Sequence, residues 1–342
     1  MTGITYQSST NTLGDLSYTY DTAGRRSSIG GSFARTGVPQ AVSSAAYNAN
    51  NQLTQWGGSA IGYDANGNMT SDSTKTYSWD ARNHLALIGG GATASLQYDP
   101  FGRRVSKSVG GSATSYLYDG ANAVQELSGS APTANLLNAA LDEVLTRSTA
   151  TGTSSYLADA LGSTVALADN AGVIQSQYNY EPFGQTTVSG AANTNPVQFT
   201  GRENDATGLY FYRARYYNAT IQRFISEDPL TLGGGDTNLY GYAGSDPTDF
   251  TDPFGLQRYD AKTRFCKSSP EARILASIEF GAVRWGITGA VLGAGGGAAG
   301  FGFGAIPGAI LGGFLGGTFG AARGALTGSA FAGACSLGGA YK

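Results

Sequence analysis

A Tyr-Asp pair with glycine three residues after the aspartate recurs in the first third of the chain and constrains its fold more than any other feature. The copies are Tyr20-Asp21 with Gly24, Tyr63-Asp64 with Gly67, and Tyr98-Asp99 with Gly102; weaker ones are Tyr47-Asn48, Trp79-Asp80 and Tyr118-Asp119. Successive aromatic positions lie 27, 16, 16, 19 and 20 residues apart, the length of one two-stranded unit with its turns. An aspartate that closes a strand can accept a hydrogen bond from backbone two residues on, and the glycine supplies the positive φ of a tight hairpin. Between turns the chain alternates as strands do, as in Leu96-Gln97-Tyr98, and helical periodicity is nearly absent before Pro270. A mainly β fold is expected, with hairpin units strung into one curved sheet whose inner face carries aromatics.

Composition removes several chemistries. His84 is the single histidine, which excludes multi-histidine metal sites and Ser-His-Asp triads; no metal and no cofactor are expected. His84 itself reads as a partly exposed strand residue. Lys and Arg total 21 against 24 Asp and Glu, so no basic nucleic-acid footprint is present and no nucleic-acid partner is expected. The charge is unevenly spread: from Gln257 onward there are 8 basic and 3 acidic residues. Cys266 and Cys335 read as free thiols. The opening MTGITYQSSTNTLGDLSY has no basic segment followed by an apolar run, so export by a cleaved signal peptide is not expected.

The runs YDANGNMTSDSTKTYSWDARNHL, LQYDPFGRRVSKSV and YLADALGSTVALADNAGVIQSQYNYEPFGQ resemble the YD-repeat, or Rhs, proteins. Residues 201–256, from GRENDATGLYFYRARYY to DPFGL, look like the family's Rhs-repeat-associated core domain. The resemblance implies a β ribbon that spirals into a shell, closed at one end by the core domain and enclosing a variable C-terminal toxin. Full shells use far more repeats, so the chain is expected to be the last piece of one or a displaced C-terminal cassette. The divisions are 1–200 for the YD repeats, 201–256 for the core domain and 257–342 for the variable tail.

The resemblance also implies a self-cleaving aspartyl peptidase that cuts after the leucine of DPxGL, here Asp252–Leu256, which places the cut between Leu256 and Gln257. Asp228, in Asp228-Pro229-Leu230-Thr231-Leu232, would be the second carboxylate, although threonine stands where the family usually has glycine. Two carboxylates held close keep one proton between them, so one activates water while the other gives a proton. Arg215, in YRARYY, is a candidate for polarising the carbonyl or fixing a carboxylate. The plainer alternative makes Asp-Pro a turn initiator and Arg215 a solvent-facing strand residue. Glu227, Asp246 and Asp249 are spare carboxylates nearby, and the aromatic run Leu209–Tyr217 is read as packing.

The tail is of another kind. Ser269-Pro270-Glu271 opens an expected helix, and the 38 residues from Trp285 to Ala322 carry no charge, enough for two marginal membrane spans. Glycine recurs every fourth residue at Gly296, Gly300, Gly304, Gly308, Gly312, Gly316, Gly320, Gly324 and Gly328, a small-xxx-small pattern that lets membrane helices approach backbone to backbone. An α-helical glycine-zipper hairpin broken near Pro307 is expected, since four residues turn a helix by about 400° and rotate the glycine row off one face. The function expected is therefore the C-terminal part of a polymorphic toxin of bacterial competition, secreted or surface-borne without a signal peptide. Its partners would be a cognate immunity protein, an upstream Rhs shell segment or delivery apparatus, and the target-cell membrane. The alternative is a non-toxic structural or cell-surface fragment whose tail is a delivery segment or inert remnant.

Overall fold

The computed structural model describes residues 1–8, 11–34 and 36–260. Every strand pair named in it is antiparallel, and the main element is a sheet of 14 strands running in strict sequence order from Gly62–Tyr63 to Thr186–Gly190. Its two edge strands do not meet, so the sheet is open rather than a barrel. Residues 1–60 contribute no strand to it, contrary to the expectation of one continuous sheet, although a parallel bridge between Thr36 and Tyr180 links them to it. They form two three-stranded sheets, Gly3–Ser8 with Asn11–Tyr20 and Arg26–Gly30, and Ala45–Tyr47 with Leu53–Trp56 and Ser59–Ala60. The helical content among the described residues is limited to short 3-10 turns.

The repeat motif makes one turn again and again. In the Asp64 turn the carboxylate Oδ1 accepts the N–H groups of Asn66 and Asn68, and the Gly67 N–H closes on the Asp64 carbonyl. Asp80, Asp99, Asp159 and Asp169 repeat the pattern. The last two lack the aromatic of the motif, since alanine precedes each aspartate. Tyr118-Asp119 departs the other way: Asp119 pairs directly with Asn122 across a two-residue turn, because Gly120 comes immediately after the aspartate and favours the shorter hairpin.

The aromatic partner has its own task. Trp79 donates to the carbonyl of Met69, Tyr98 to that of Leu85, Tyr118 to that of Arg104 and Tyr180 to that of Thr164. Each acceptor lies five residues after the aspartate of an earlier turn, so each aromatic ties its own turn to a neighbouring unit. The tyrosine and aspartate therefore recur together because one closes the turn and the other ties it to a preceding one.

Residues 195–260 pack against the edge that carries these turns. Tyr240 donates to the Gly67 carbonyl, Tyr217 to the Phe183 carbonyl, and Ser163 Oγ accepts the Thr200 N–H. The run Leu209–Tyr217 supplies the interior: Tyr212 lies edge-on to Phe224 at 5.8 Å, and Tyr217 meets Tyr242 at 4.5 Å. Thr164–Ala168 is buried throughout, with Leu167 in the core cluster of Phe199 and Tyr210, and Val165, Ala166 and Ala168 in that of Leu16 and Tyr18.

Candidate active site

Two Asp-Pro turns and one hairpin bring Asp228, Asp252 and Arg215 together. In Asp228-Pro229-Leu230-Thr231 the Thr231 N–H bonds the Asp228 carbonyl and the Leu230 N–H bonds Asp228 Oδ1 at 2.8 Å. In Asp252-Pro253-Phe254-Gly255 the Gly255 N–H bonds the Asp252 carbonyl. The fourth residue of each turn is left-handed, with φ of 52° at Thr231 and 65° at Gly255. Threonine at the first thus occupies a conformation that suits glycine, and the turn still presents Asp228.

Arg215 stands between the carboxylates. Its Nη2 lies 3.0 Å from Asp228 Oδ2 and 3.6 Å from Asp252 Oδ2, its Nη1 donates to the Leu239 carbonyl, and its Nε donates to the Gly255 carbonyl. The guanidinium rests 3.7 Å over the Phe224 ring. All three side chains are buried, so Arg215 does not face solvent. The geometry is a pair bridged by a cation rather than two carboxyls sharing a proton. Burial, not repulsion by Asp228, is the chief reason the Asp252 carboxyl is pushed up to about 6, against the pull of Arg215 and of two backbone N–H groups. Burial also raises Asp228, again opposed by Arg215.

The bond expected to be cut lies in this cluster. Asp252 Oδ1 accepts the N–H of Leu256 at 3.0 Å and of Gln257, the nitrogen of the Leu256–Gln257 bond, at 3.2 Å. The other side of that peptide faces Gly234. A methyl group on Gly234 would meet both Asp228 Oδ2, at 2.7 Å, and the Leu256 carbonyl oxygen, at 2.8 Å. Asp228 and the carbonyl therefore flank one small space that exists because residue 234 has no side chain. A cavity of about 290 Å³ opens there, lined by Arg215, Asp228, Gly234, Asp252, Leu256 and Gln257 among others.

Gly234 escapes a reading based on reactive side chains; its only sequence signal is the run Gly233–Gly235 shortly after Asp228. The spare carboxylates are engaged elsewhere: Glu227 with Tyr240, Asp246 in its own turn, and Asp249 with the Arg26 N–H. His84 sits at the end of its turn rather than in a strand, 3.1 Å from Asp80 and stacked on Tyr98. Among the described residues no group of three or more His, Cys, Asp or Glu is placed to hold a metal ion. Cys266, Cys335 and the glycine row Gly296–Gly328 lie outside the described residues.

Comparison with known proteins fixes the family. The teneurin YD-shell family matches residues 4–248. The chain is a YD-repeat, Rhs-type protein. It is similar to the tRNA3(Ser)-specific nuclease WapA of Bacillus spizizenii, 32% identical over 266 residues, which cover 70% of this chain and 11% of that protein. It is also similar to the double-stranded DNA deaminase toxin A of Burkholderia cenocepacia, 25% identical over 271 residues, 66% of this chain and 19% of that one. The crystal structure of TcdB2-TccC3 without its hypervariable C-terminal region shares the fold, with a TM-score of 0.54 at 20% identity over 75% of this chain and 18% of that chain. The chain thus spans between a tenth and a fifth of the length of these relatives. Proteins named as toxins are among them.

Proposed function

We propose that the chain is the C-terminal cassette of an Rhs polymorphic toxin whose core domain cuts itself after Leu256 and frees residues 257–342. The observation that carries this reading is the seat of one peptide bond: its nitrogen lies on Asp252 and its carbonyl oxygen beside Asp228 and Gly234. Water in the cavity attacks the Leu256 carbonyl carbon and passes a proton to Asp228. The C–N bond then breaks while protonated Asp252 gives its proton to the departing Gln257 nitrogen, leaving a carboxylic acid on Leu256, which ionises to solvent, and an amine on Gln257. An Asp252 carboxyl near 6 suits a proton donor at mildly acidic to neutral pH. Arg215 holds both carboxylates and the carbonyl before the cut bond. The repeat sheet would be the closing part of a curved shell, continued by an upstream segment.

The purified chain should appear by mass spectrometry as fragments 1–256 and 257–342, and both Asp252→Asn and Asp228→Asn should leave it whole. A cut that persists in both variants assigns it to another protease.

For the freed tail the reading is membrane insertion, supported by its 38-residue uncharged stretch and fourfold glycine spacing, with an immunity protein as its antidote. Residues 257–342 expressed in a bacterium should fractionate with membranes and depolarise them, and leucine at both Gly312 and Gly316 should spare insertion while reducing depolarisation. The named activities of the relatives favour a second reading, a tail that acts on nucleic acid. Against it, the tail has no histidine and only Asp260, Glu271 and Glu279 as acids. Degraded or deaminated nucleic acid with intact membrane potential would select that second reading.

A further inference from the structure

Three consecutive carbonyls leading to the Leu256–Gln257 bond are held by three consecutive residues of one hairpin. Arg213 donates through Nη1 to the Pro253 carbonyl, the Ala214 N–H to the Phe254 carbonyl at 3.2 Å, and Arg215 Nε to the Gly255 carbonyl. The hairpin joins Tyr210–Tyr212 to Arg215–Asn218, with Tyr212 opposite Arg215, so residues 213 and 214 form its two-residue turn. Arg213 is left-handed there, φ 58°, in a turn that ordinarily selects asparagine or glycine. A non-glycine residue in such a backbone carries a conformational cost that its side-chain contacts must offset.

That side chain faces two ways. Besides Pro253, and 5.1 Å from the Phe254 ring, the Arg213 guanidinium donates to both oxygens of Asp142, at 2.6 and 3.1 Å, and to the Ala121 carbonyl. Asp142 and Ala121 lie in turns of the fourteen-stranded sheet, between Ala131–Ala140 and Glu143–Thr149 and between Ser112–Asp119 and Asn122–Ser128. Asp142 is buried and also receives Arg202. A bidentate guanidinium–carboxylate pair fixes direction as well as distance, so the sheet aims Arg213 at the cleavage turn.

We infer that Arg213, set by Asp142, is a positioning residue that makes the cut after Leu256 conditional on a folded repeat sheet. The inference rests on the self-cleavage reading. Its consequence is order: the tail is released only after the sheet that holds the core domain has formed.

Two arms of one experiment test this on the full chain. In the first, wild type, Arg213→Ala and Arg213→Lys are made by cell-free translation and the cut is timed from completion of each chain, with near-ultraviolet circular dichroism of each purified product confirming that it folds. Arg213→Ala is expected to cut about 100-fold more slowly, the scale of a sub-ångström to ångström misplacement. Lysine, which keeps the charge and reaches one partner at a time, should recover part of the rate. In the second arm, hydrogen exchange is followed in the Asp228→Asn background with and without Arg213→Ala. The Leu256 and Gln257 amides, now on Asp252, should lose about tenfold or more of their protection while those of Val165–Ala168 keep theirs.

If Arg213→Ala folds and cuts at the wild-type rate, or if the Leu256 and Gln257 amides stay protected, the positioning role is wrong. If Arg213→Ala fails to fold, the lysine variant decides: a slowed cut in folded chain supports the inference, and an unslowed one overturns it. A wild type that never cuts sinks the peptidase reading by itself, and the exchange arm still tests whether Arg213 holds the turn.

Discussion

The tetrapeptide Asp-Pro-Phe-Gly occurs twice, at Asp99–Gly102 in a repeat and at Asp252–Gly255 in the core domain, and the two copies fold into the same turn with opposite electrostatics. Both glycines are left-handed, and in both the glycine N–H returns to the aspartate carbonyl. At the first, Asp99 takes the N–H groups of Phe101 and Arg103 and the Arg103 side chain at 2.7 Å, and Phe101 is 85% exposed. Slight burial pushes the Asp99 carboxyl up, but Arg103 and the backbone N–H groups hold it below its usual range. At the second the turn is enclosed, and burial outweighs Arg215 and two amides to bring Asp252 to about 6. Local sequence fixes the turn in both, whereas the surroundings decide whether its aspartate is held ionised or raised toward neutral pH.

The most severe way to break the comparison is to neutralise each aspartate in turn. Asp252→Asn should lower the rate of cleavage by about 1,000-fold or more, because an amide cannot supply the proton. Asp99→Asn should leave the rate unchanged and cost about 1 kcal/mol at most, since asparagine also accepts turn N–H bonds. Equal loss of cleavage in both variants, measured by gel densitometry over time, would mean that Asp252 is another turn brace.

Less drastic is a methyl group. Gly234 carries no positive φ that would bar alanine, but the new carbon would press on Asp228 Oδ2 and the Leu256 oxygen. Gly234→Ala should therefore slow the cut by about 100-fold by displacing Asp228 and the Leu256 carbonyl from each other, and lower the melting temperature because the backbone oxygen must shift. Wild-type cleavage in that variant would mean that the cut does not depend on their spacing.

These two tests also mark what the sequence made legible. The Tyr-Asp turns and their aspartates were readable because each depends on residues within five positions, whereas the turns at Asp159 and Asp169 lack the aromatic that marks the others. Asp228, Asp252 and Arg215 could be named from motifs, and the structure brings them together, but their burial could not, since DPFG reads the same at both places. Gly234 and Arg213 act through distant partners: Gly234 meets a carbonyl 22 residues away, and Arg213 meets Asp142, 71 residues away. No spacing rule spans such separations, which only the packing of the core domain on the sheet creates.

pH sharpens the comparison further. Asp252 must hold its proton to donate it and Asp228 must be ionised to accept one, so the rate should fall about tenfold per pH unit above about 6 and fall again at acidic pH as Asp228, itself raised by burial, takes up its proton. The folded carboxyl binds its proton more tightly than the unfolded one, whose pKa is near 3.8. Asp252 therefore contributes stability that is fully present below 3.8 and lost as pH rises through about 6. Urea midpoints of the uncut Asp228→Asn chain should fall between pH 4 and pH 8, by about 3 kcal/mol at most from this group, and Asp99→Asn should not alter that slope. A rate that rises through pH 7 would contradict an Asp252 acid.

The smallest expected effect concerns the turn that departs from the family pattern. Thr231 holds φ 52° with a branched Cβ, which costs an L-residue about 1–2 kcal/mol relative to glycine in the folded state. Glycine would relieve that strain but also gains freedom in the unfolded chain, worth about 0.4–1 kcal/mol in the opposite direction. Thr231→Gly should therefore raise stability by about 1 kcal/mol or less. The side chain is exposed, and the turn already places Asp228 3.0 Å from Arg215. Cleavage should change by less than about threefold, well under the effect of altering Asp252 or Gly234. A large gain in rate would instead show that threonine holds Asp228 away from its working position, and that the first Asp-Pro turn, unlike the second, is only partly formed for catalysis.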